Sequence, residues 1–218
     1  MSNFEIARKN MVESQIRPNH VRDDRLISAM SELPRECFVP KHMQGFAYID
    51  EDIDLGNGRY LQEPMVLARL MQAANLNSND VVLDIGCGMG YSTAVLARLA
   101  STVVGIEESE KLAAQAEERL KNLDITNAVI YRSALADGYP QQAPYDAIFI
   151  NGSLPEVPPA IFDQLVDGGR LVTVIAEDGQ NGKAVVYTRV RDIVSEKFIF
   201  DAATPFLAEF SRASGFVF

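Results

Sequence analysis

The 218-residue sequence is poor in the residue types that build metal centres and disulfide frameworks. It contains no tryptophan, two histidines (His20 and His42) and two cysteines (Cys37 and Cys87). Neither pair has the spacing of metal ligands, and the sequence therefore predicts no metal site. Two cysteines that lie 50 positions apart in sequence also disfavour a disulfide framework, so we expect a protein of a reducing compartment.

Basic residues are outnumbered, and long apolar runs are missing. Twenty Lys and Arg stand against 30 Asp and Glu, a net charge of −10, and the basic residues form no run. Since binding to nucleic acid needs a basic surface, we expect no nucleic-acid partner. No apolar stretch has the length of a transmembrane helix, and the first residues lack the basic and apolar parts of a signal peptide. We therefore expect a soluble, cytoplasmic protein without membrane contact.

Strand and helix patterns alternate from residue 81 onward. Short apolar runs predict strands, and longer stretches with apolar residues at helical spacing predict helices. The predicted strands cover 81–85, 102–107, 127–131, 145–150 and 169–176, and the predicted helices cover 90–100, 109–123 and about 158–166. Such alternation is typical of the Rossmann-like α/β class, with a mostly parallel sheet and helices on both faces.

The N-terminal residues 1–63 differ from this alternating core. Apolar residues at helical spacing predict one helix up to Arg17 and a second helix that begins at Asp23 or Asp24. The stretch from 45 to 58 is rich in Asp and Gly and is expected to be irregular. We interpret residues 1–63 as a helical extension that covers the active site.

The C-terminal residues 177–218 also change character. Strand patterns at 184–190 and 197–200 predict a hairpin, and 215–218 is expected to form a further edge strand. With residues 64–176 as the core, we expect a single domain. Its predicted sheet has seven strands, mostly parallel, and is completed by an antiparallel strand.

The most informative motif is a glycine-rich turn between the strand 81–85 and the helix that follows it. Asp84 precedes Gly86, Gly88 and Gly90, which occupy alternate positions. Glycines at such a turn let a ligand lie directly on the backbone. The next strand ends in Glu107, where a nucleoside ligand places its ribose hydroxyls.

The spacing of the glycines distinguishes between classes of nucleoside ligand. A dinucleotide site usually has the pattern G-x-G-x-x-G, and a phosphate-binding loop has a following lysine, whereas this turn has G-x-G-x-G and no lysine. It resembles motif I of the class I S-adenosylmethionine (SAM) methyltransferases. The resemblance implies that Asp84 meets positive charge on the methionine part of SAM and that Glu107 accepts the ribose hydroxyls. The residues predicted to bind the cofactor are Asp84, Gly86, Cys87, Gly88, Gly90, Tyr91, Glu107, Glu108 and Leu135.

The N-terminal blocks resemble one family within that superfamily. They include Met11-Val12-x-x-Gln15-Ile16, Pro34-Arg35-Glu36-x-Phe38-Val39-Pro40 and Ala47-Tyr48-x-Asp50. With the turn and Ala143-Pro144-Tyr145-Asp146, they resemble the protein-L-isoaspartate O-methyltransferases over about residues 10–175. The resemblance implies methyl transfer from SAM to the free carboxylate of isoaspartyl residues in damaged proteins, or to another carboxylate substrate.

Three stretches depart from the pattern of that family, and the third is the Phe-rich C-terminal end at 198–218. The family's loop Gly-Gln-Thr-x-Ser-Gln-Pro is replaced here by residues 58–64, in which Tyr60, Gln62 and Glu63 stand for Thr, Ser and Gln. The family's Gly-Asp-Gly after the third strand is replaced by 133–135. We predict Gln62 as the catalytic candidate because its amide can donate a hydrogen bond to a carboxylate. Gly58, Tyr60, Gln62 and Asn151 are predicted to face the substrate.

These departures leave two alternatives open. One is a divergent methyltransferase that acts on another acceptor, and the other is a SAM-binding regulatory protein that has lost catalysis. The phenylalanines of the stretch 198–218 are interpreted as core or dimer contacts, with a hydrophobic substrate pocket as the alternative. No pattern in the sequence indicates the oligomeric state.

Overall fold

A computed structural model describes residues 3–177 and 179–211. In this described part the strands are β1 (Ile53–Gly56), β2 (Arg59–Leu61), β3 (Val81–Ile85), β4 (Thr102–Glu107), β5 (Ala128–Arg132), β6 (Tyr145–Leu154), β7 (Leu165–Ile175), β8 (Gly182–Val190) and β9 (Ile193–Ala202). The α-helices are α1 (Asn3–Met11), α2 (Asp24–Glu32), α3 (Pro64–Ala74), α4 (Tyr91–Ala97), α5 (Glu110–Asn122) and α6 (Pro159–Phe162). None of the helices in the described ranges is both long and apolar enough to cross a membrane.

Seven of the strands form one sheet in the order β5-β4-β3-β6-β7-β8-β9. The first five strands of this order are parallel, and β8 and β9 are antiparallel to their neighbours. The predicted seven-stranded, mostly parallel sheet is confirmed, because β8 runs opposite to the other six strands of this sheet and forms the expected hairpin with β9. The chain builds the sheet outward from β3, first toward β5 on one side and then from β6 toward β7 on the other. At such a switch point the carboxyl ends of the adjacent strands β3, β4 and β6 form a crevice suited to a ligand.

Side chains of successive strand residues point to opposite faces of the sheet. On β3, Val82 packs into one apolar cluster with α1–α5. Leu83 and Ile85 pack into a second cluster on the other face, with α6 and with Leu207 and Phe210. The predicted helices on both faces are therefore confirmed. Helix α4 is buried along its whole length, which places the start of the helix, and the turn before it, deep in the protein.

Several predicted boundaries need correction. The stretch 45–58 was expected to be irregular, but its last six residues form β1 and the turn of the β1–β2 hairpin. In that turn, Asn57 and Gly58 adopt positive φ angles. The helix expected at 158–166 is the short α6, because Leu165 already belongs to β7. Strand β6 continues past residue 150 to Leu154. The edge strand expected at 215–218 lies outside the described residues.

Candidate active site

The glycine turn joins the end of β3 to the start of α4, and Asp84 anchors it from below. Asp84 is fully buried. Ser92 Oγ and Thr93 Oγ1 donate to its Oδ2 at 2.8 and 2.6 Å, and Asn151 Nδ2 donates to its Oδ1 at 2.7 Å. Burial raises the pKa of Asp84 to about 6, although these three hydrogen bonds act to lower it. Asp84 therefore holds β3, α4 and β6 together beneath the turn.

Glu107, at the carboxyl end of β4, is fully buried and has three donors. The backbone N–H of Gly88 and the Nε of Arg59 donate to its Oε2 at 3.0 and 3.1 Å, and the backbone N–H of Ser109 donates to its Oε1 at 3.0 Å. Two of these donors belong to the turn and to the start of α5. The third, Arg59, reaches Glu107 from β2 in the N-terminal extension.

Arg59 links the β1–β2 hairpin and the C-terminal residues near Glu209 to the crevice. Its Nη2 lies 2.8 Å from Oε1 of Glu209, and only 3% of its side chain is exposed. Burial lowers the pKa of Arg59, but the carboxylates of Glu107 and Glu209 outweigh burial and raise it overall. A permanently charged guanidinium therefore lies between two carboxylates over the glycine turn.

The open face of the turn is covered by side chains of the same protein. A Cβ placed on Gly88 would lie 2.9 Å from Cδ1 of Leu55, and one on Gly86 would lie 3.4 Å from Cδ1 of Leu135 and 3.9 Å from Nε of Arg59. The polar groups that suit a nucleoside are present, but the space above them is filled. In this conformation Leu55, Leu135 and Arg59 lie where a ligand on the turn would rest.

The loop that carries Gln62 lies on the neighbouring side of the crevice. The Gln62 side chain is buried, and its Nε2 donates to Thr204 Oγ1 at 3.2 Å. Its backbone carbonyl accepts from Nη2 of the fully buried Arg35 at 2.6 Å, while its side-chain Oε1 is buried without a hydrogen-bond partner. Asp52, Ser153 and Thr204 line a cavity of about 390 Å³ beside this loop. Gln62 thus bonds to a residue that lines this cavity, and its own acceptor oxygen is unsatisfied.

Two acidic residues lie next to Gln62. The Oδ1 of Asp52 accepts from the backbone N–H of Glu63 at 2.9 Å. Burial raises the pKa of Asp52 to about 6. Burial, with repulsion from Asp52 and Asp50, raises the pKa of Glu63 to about 7. This side of the crevice therefore disfavours additional negative charge near neutral pH.

The other predicted site residues occupy different surroundings. Gly58 is exposed at the tip of the β1–β2 hairpin, and Tyr60 points outward from β2 with 36% exposure. Asn151 also donates to the carbonyl of Ile85 at 3.0 Å, so its amide serves the turn.

Three predicted cofactor residues differ in exposure. Cys87 is buried and is a free cysteine, and Glu108 is exposed. The Tyr91 ring packs edge-on against Phe38, with centroids 5.4 Å apart, and lies 4.9 Å beneath the guanidinium carbon of Arg35. Tyr91 therefore faces the N-terminal extension.

Four residues of the site were not predicted from the sequence: Arg59, Glu209, Ser92 and Thr93. Ser92 and Thr93 follow the glycine turn directly, and a buried Asp84 needs donors, which was an available signal. Arg59 is the only Lys or Arg between Lys41 and Arg69, within a stretch rich in carboxylates. That isolation was a signal for an ion pair, although nothing in the sequence identifies its partners.

Comparisons with known proteins agree with this geometry. The family model described as Protein-L-isoaspartate(D-aspartate) O-methyltransferase (PCMT) matches residues 6–201. A protein-L-isoaspartate O-methyltransferase of Methanoculleus marisnigri is 39% identical over 77% of this chain and 76% of its own length. A protein-L-isoaspartate O-methyltransferase 2 of Marinobacter nauticus is 40% identical over 85% of this chain and 84% of its own length. A protein-L-isoaspartate O-methyltransferase 1 of Rhodopseudomonas palustris is 35% identical over 98% of this chain and 88% of its own length.

Solved structures share the fold. A structure named protein-L-isoaspartate O-methyltransferase superposes with a TM-score of 0.79 and 25% identity over 92% of this chain, which spans 65% of that structure. A Plasmodium falciparum structure in complex with S-adenosyl-L-homocysteine has a TM-score of 0.76 over 96% of this chain and 100% of its own, and at 22% identity it shows the fold alone. The family match, which covers most of the chain, and the relatives near 40% identity establish that this protein belongs to the protein-L-isoaspartate(D-aspartate) O-methyltransferase family.

Proposed function

We propose that this protein is a SAM-dependent O-methyltransferase that methylates a carboxylate, such as the one an isoaspartyl residue exposes in a damaged protein. The observation that carries the proposal is the family match over residues 6–201, which includes both the glycine turn and the loop at Gln62. SAM supplies a methyl group on a positively charged sulfur. A carboxylate is already a nucleophile at neutral pH, so alignment and exclusion of water matter more than a general base.

The residues proposed for the cofactor are those at the carboxyl ends of β3 and β4. Glu107 is suited to accept hydroxyl hydrogen bonds, and the backbone of Gly86, Gly88 and Gly90 is suited to lie against a flat nucleoside. Cys87, Tyr91, Glu108 and Leu135 complete the proposed set, with Asp84 as the negative charge beneath it. All of them require that the side chains covering the turn first move.

Gln62 is proposed to contact the acceptor. Its Nε2 donates to the hydroxyl of Thr204. A carboxylate oxygen can replace this hydroxyl, because a hydrogen bond to a charged oxygen is stronger than one to a neutral hydroxyl. Gly58 and Tyr60, on the β1–β2 hairpin, and Asn151, on β6, are also proposed to face the substrate.

A second candidate function is methylation of an acceptor that is not anionic. Asp52 and Glu63, whose pKa values lie at about 6 and about 7, flank the loop of Gln62. When both are ionised they repel an approaching carboxylate, and a neutral or cationic acceptor is then favoured.

The test is transfer of labelled methyl from SAM to an isoaspartyl peptide and to its normal aspartyl counterpart, with SAM binding measured in parallel. Base-labile label on the isoaspartyl peptide alone supports the carboxylate assignment. We expect Gln62→Ser to increase that label if the loop has diverged from this acceptor, and Gln44→Ser, a change of the same kind in another part of the extension, to leave it unchanged. Binding of SAM without label on either peptide would favour the second candidate or a SAM-binding regulatory protein.

A further inference from the structure

The side chain of Arg59 bonds to Glu107, the carboxylate that would accept the hydroxyls of a nucleoside. Its guanidinium bonds to Glu107 and Glu209 and is almost completely buried. We propose that Arg59 is an internal competitor of the cofactor, so that the nucleoside site is closed in the resting protein and opens when the β1–β2 hairpin and the C-terminal segment (residues 203–210) move away. This closure presupposes the proposed use of SAM.

Competition follows from the number of hydrogen bonds that Glu107 can accept and from the space around it. Its Oε2 already accepts from Arg59 and from the backbone of Gly88, and its Oε1 accepts from the backbone of Ser109. The two backbone donors belong to the fixed frame of the site. Arg59 is the only donor of the three that lies on a hairpin outside the main sheet, so it is the donor that two ribose hydroxyls would displace.

The apolar cover points to the same segments. Leu55, on β1, lies against Gly88, and its removal from that position is needed before a flat ring can rest on the turn. Leu207 packs over Gly152, where a Cβ would lie 2.6 Å from its Cγ. Both leucines belong to the two segments that carry Arg59 and Glu209, so the polar and apolar parts of the cover can leave together.

The closed arrangement is held by the buried contacts described above and by others that are partly solvent-accessible. At the hairpin tip, Asn57 Nδ2 donates to Ser109 Oγ at 3.0 Å. In the C-terminal segment, the backbone of Ser153 exchanges hydrogen bonds with Pro205 and Leu207 at 2.9 and 2.8 Å. The side chain of Glu209 is 25% exposed. Glu209 therefore gives Arg59 a carboxylate partner that can leave with it, so opening does not require an unpaired guanidinium.

The test is calorimetric binding of S-adenosyl-L-homocysteine, which cannot transfer a methyl group, to the full chain and three variants. Arg59→Ala removes the competitor, and we expect binding to tighten about tenfold or more. The reason is that the apparent affinity is proportional to the fraction of molecules whose site is open. Glu209→Gln keeps Arg59 and Glu107 but weakens the closure, and it should tighten binding by a smaller factor. Arg17→Ala removes an exposed ion pair with Glu13 and serves as the control, with unchanged affinity.

Hydrogen exchange gives a second readout on the unaltered protein. The ligand should increase exchange in residues 53–61 and 203–210 while it protects the turn at 86–90. Affinities of Arg59→Ala and Glu209→Gln equal to or weaker than that of the unaltered chain would overturn the closure. If Arg59→Ala does not fold, Glu209→Gln and the exchange pattern decide the question.

Failure of the closure and failure of the proposed function give different results. Tighter ligand binding by the variants, without methylation of the isoaspartyl peptide by any of them, retains the closure and rejects the acceptor. Methylation by the unaltered chain, with an affinity that is independent of Arg59, retains the function and rejects the closure.

Discussion

Replacement of Glu63 by Gln should stabilise the protein at alkaline pH. Glu63 is half-buried, and burial together with the charges of Asp52 and Asp50 raises its pKa from 4.5 to about 7. The folded state therefore binds a proton between these values that the unfolded chain has released, and stability falls as the pH rises through this window. Below the ordinary pKa both states are protonated and the residue has no effect, whereas above about pH 7 the destabilisation is complete.

The size of the effect follows from the pKa. A rise from 4.5 to about 7 corresponds to about 3.4 kcal/mol if the charge is wholly shielded from solvent. Glu63 is only half-buried, and solvent screening reduces this figure. We expect Glu63→Gln to increase the free energy of unfolding by about 1–2 kcal/mol near pH 8 and by less than about 0.5 kcal/mol near pH 4.5.

Urea unfolding at both pH values measures this difference. Glu51→Gln is the matched control, because Glu51 belongs to the same acidic run but is exposed. The same gain from Glu63→Gln at both pH values, or as large a gain from Glu51→Gln at pH 8, would refute a pKa raised by burial as the cause. Added salt should reduce the gain only in part, since burial is the first cause of the raised pKa and salt screens only the repulsion.

Three further predictions concern stability and are checked by thermal or denaturant unfolding. Gly88→Ala should cost about 1–2 kcal/mol of stability, because its φ of +55° and the nearby Leu55 both oppose a Cβ. Gly45→Ala, with open space around it, should be close to neutral, and similar losses at both positions would contradict this explanation. Thr93→Val should cost about 1–2 kcal/mol because Asp84 Oδ2 then keeps one donor in place of two, and an unchanged stability would show that the hydroxyl is dispensable. Arg170→Ala should cost about 2–3 kcal/mol, since Arg170 bonds to Asp80 and to the last carbonyls of α3, and Arg132→Ala, whose ion pair is exposed, should change stability by less than about 0.5 kcal/mol.

The core of the fold could be predicted because most of its strands contain a short apolar run and because the glycines after β3 mark the turn into α4. The β1–β2 hairpin was missed since its strands are only four and three residues long and carry charged residues. Its turn nevertheless has a signal, because Asn57 and Gly58 both adopt positive φ, the conformation that Asn-Gly favours in two-residue hairpins. The helix expected at 158–166 was too long because the apolar Leu165 fits a helix and a strand equally well.

The candidate site could be predicted only in part. The turn and Glu107 are local patterns, and they can be read from adjacent residues. Arg59 bonds to Glu107 and Glu209, which follow it by 48 and 150 positions in the sequence. No local pattern predicts a pairing over such separations. Tyr91 follows the turn directly, yet the direction of its ring depends on Arg35 and Phe38, which the N-terminal extension brings from more than 50 positions away.

The position of Arg59 between two carboxylates constrains the order in which descendants of this protein can change. Loss of Arg59 alone would leave Glu107 buried without a counter-charge and close to a second anion, at a cost of about 3–5 kcal/mol, a large part of the stability of a typical domain. Loss of Glu209 alone is milder, because Glu107 still neutralises the guanidinium. Neutral residues at position 209 should therefore arise before position 59 changes, and the two positions should vary together during evolution.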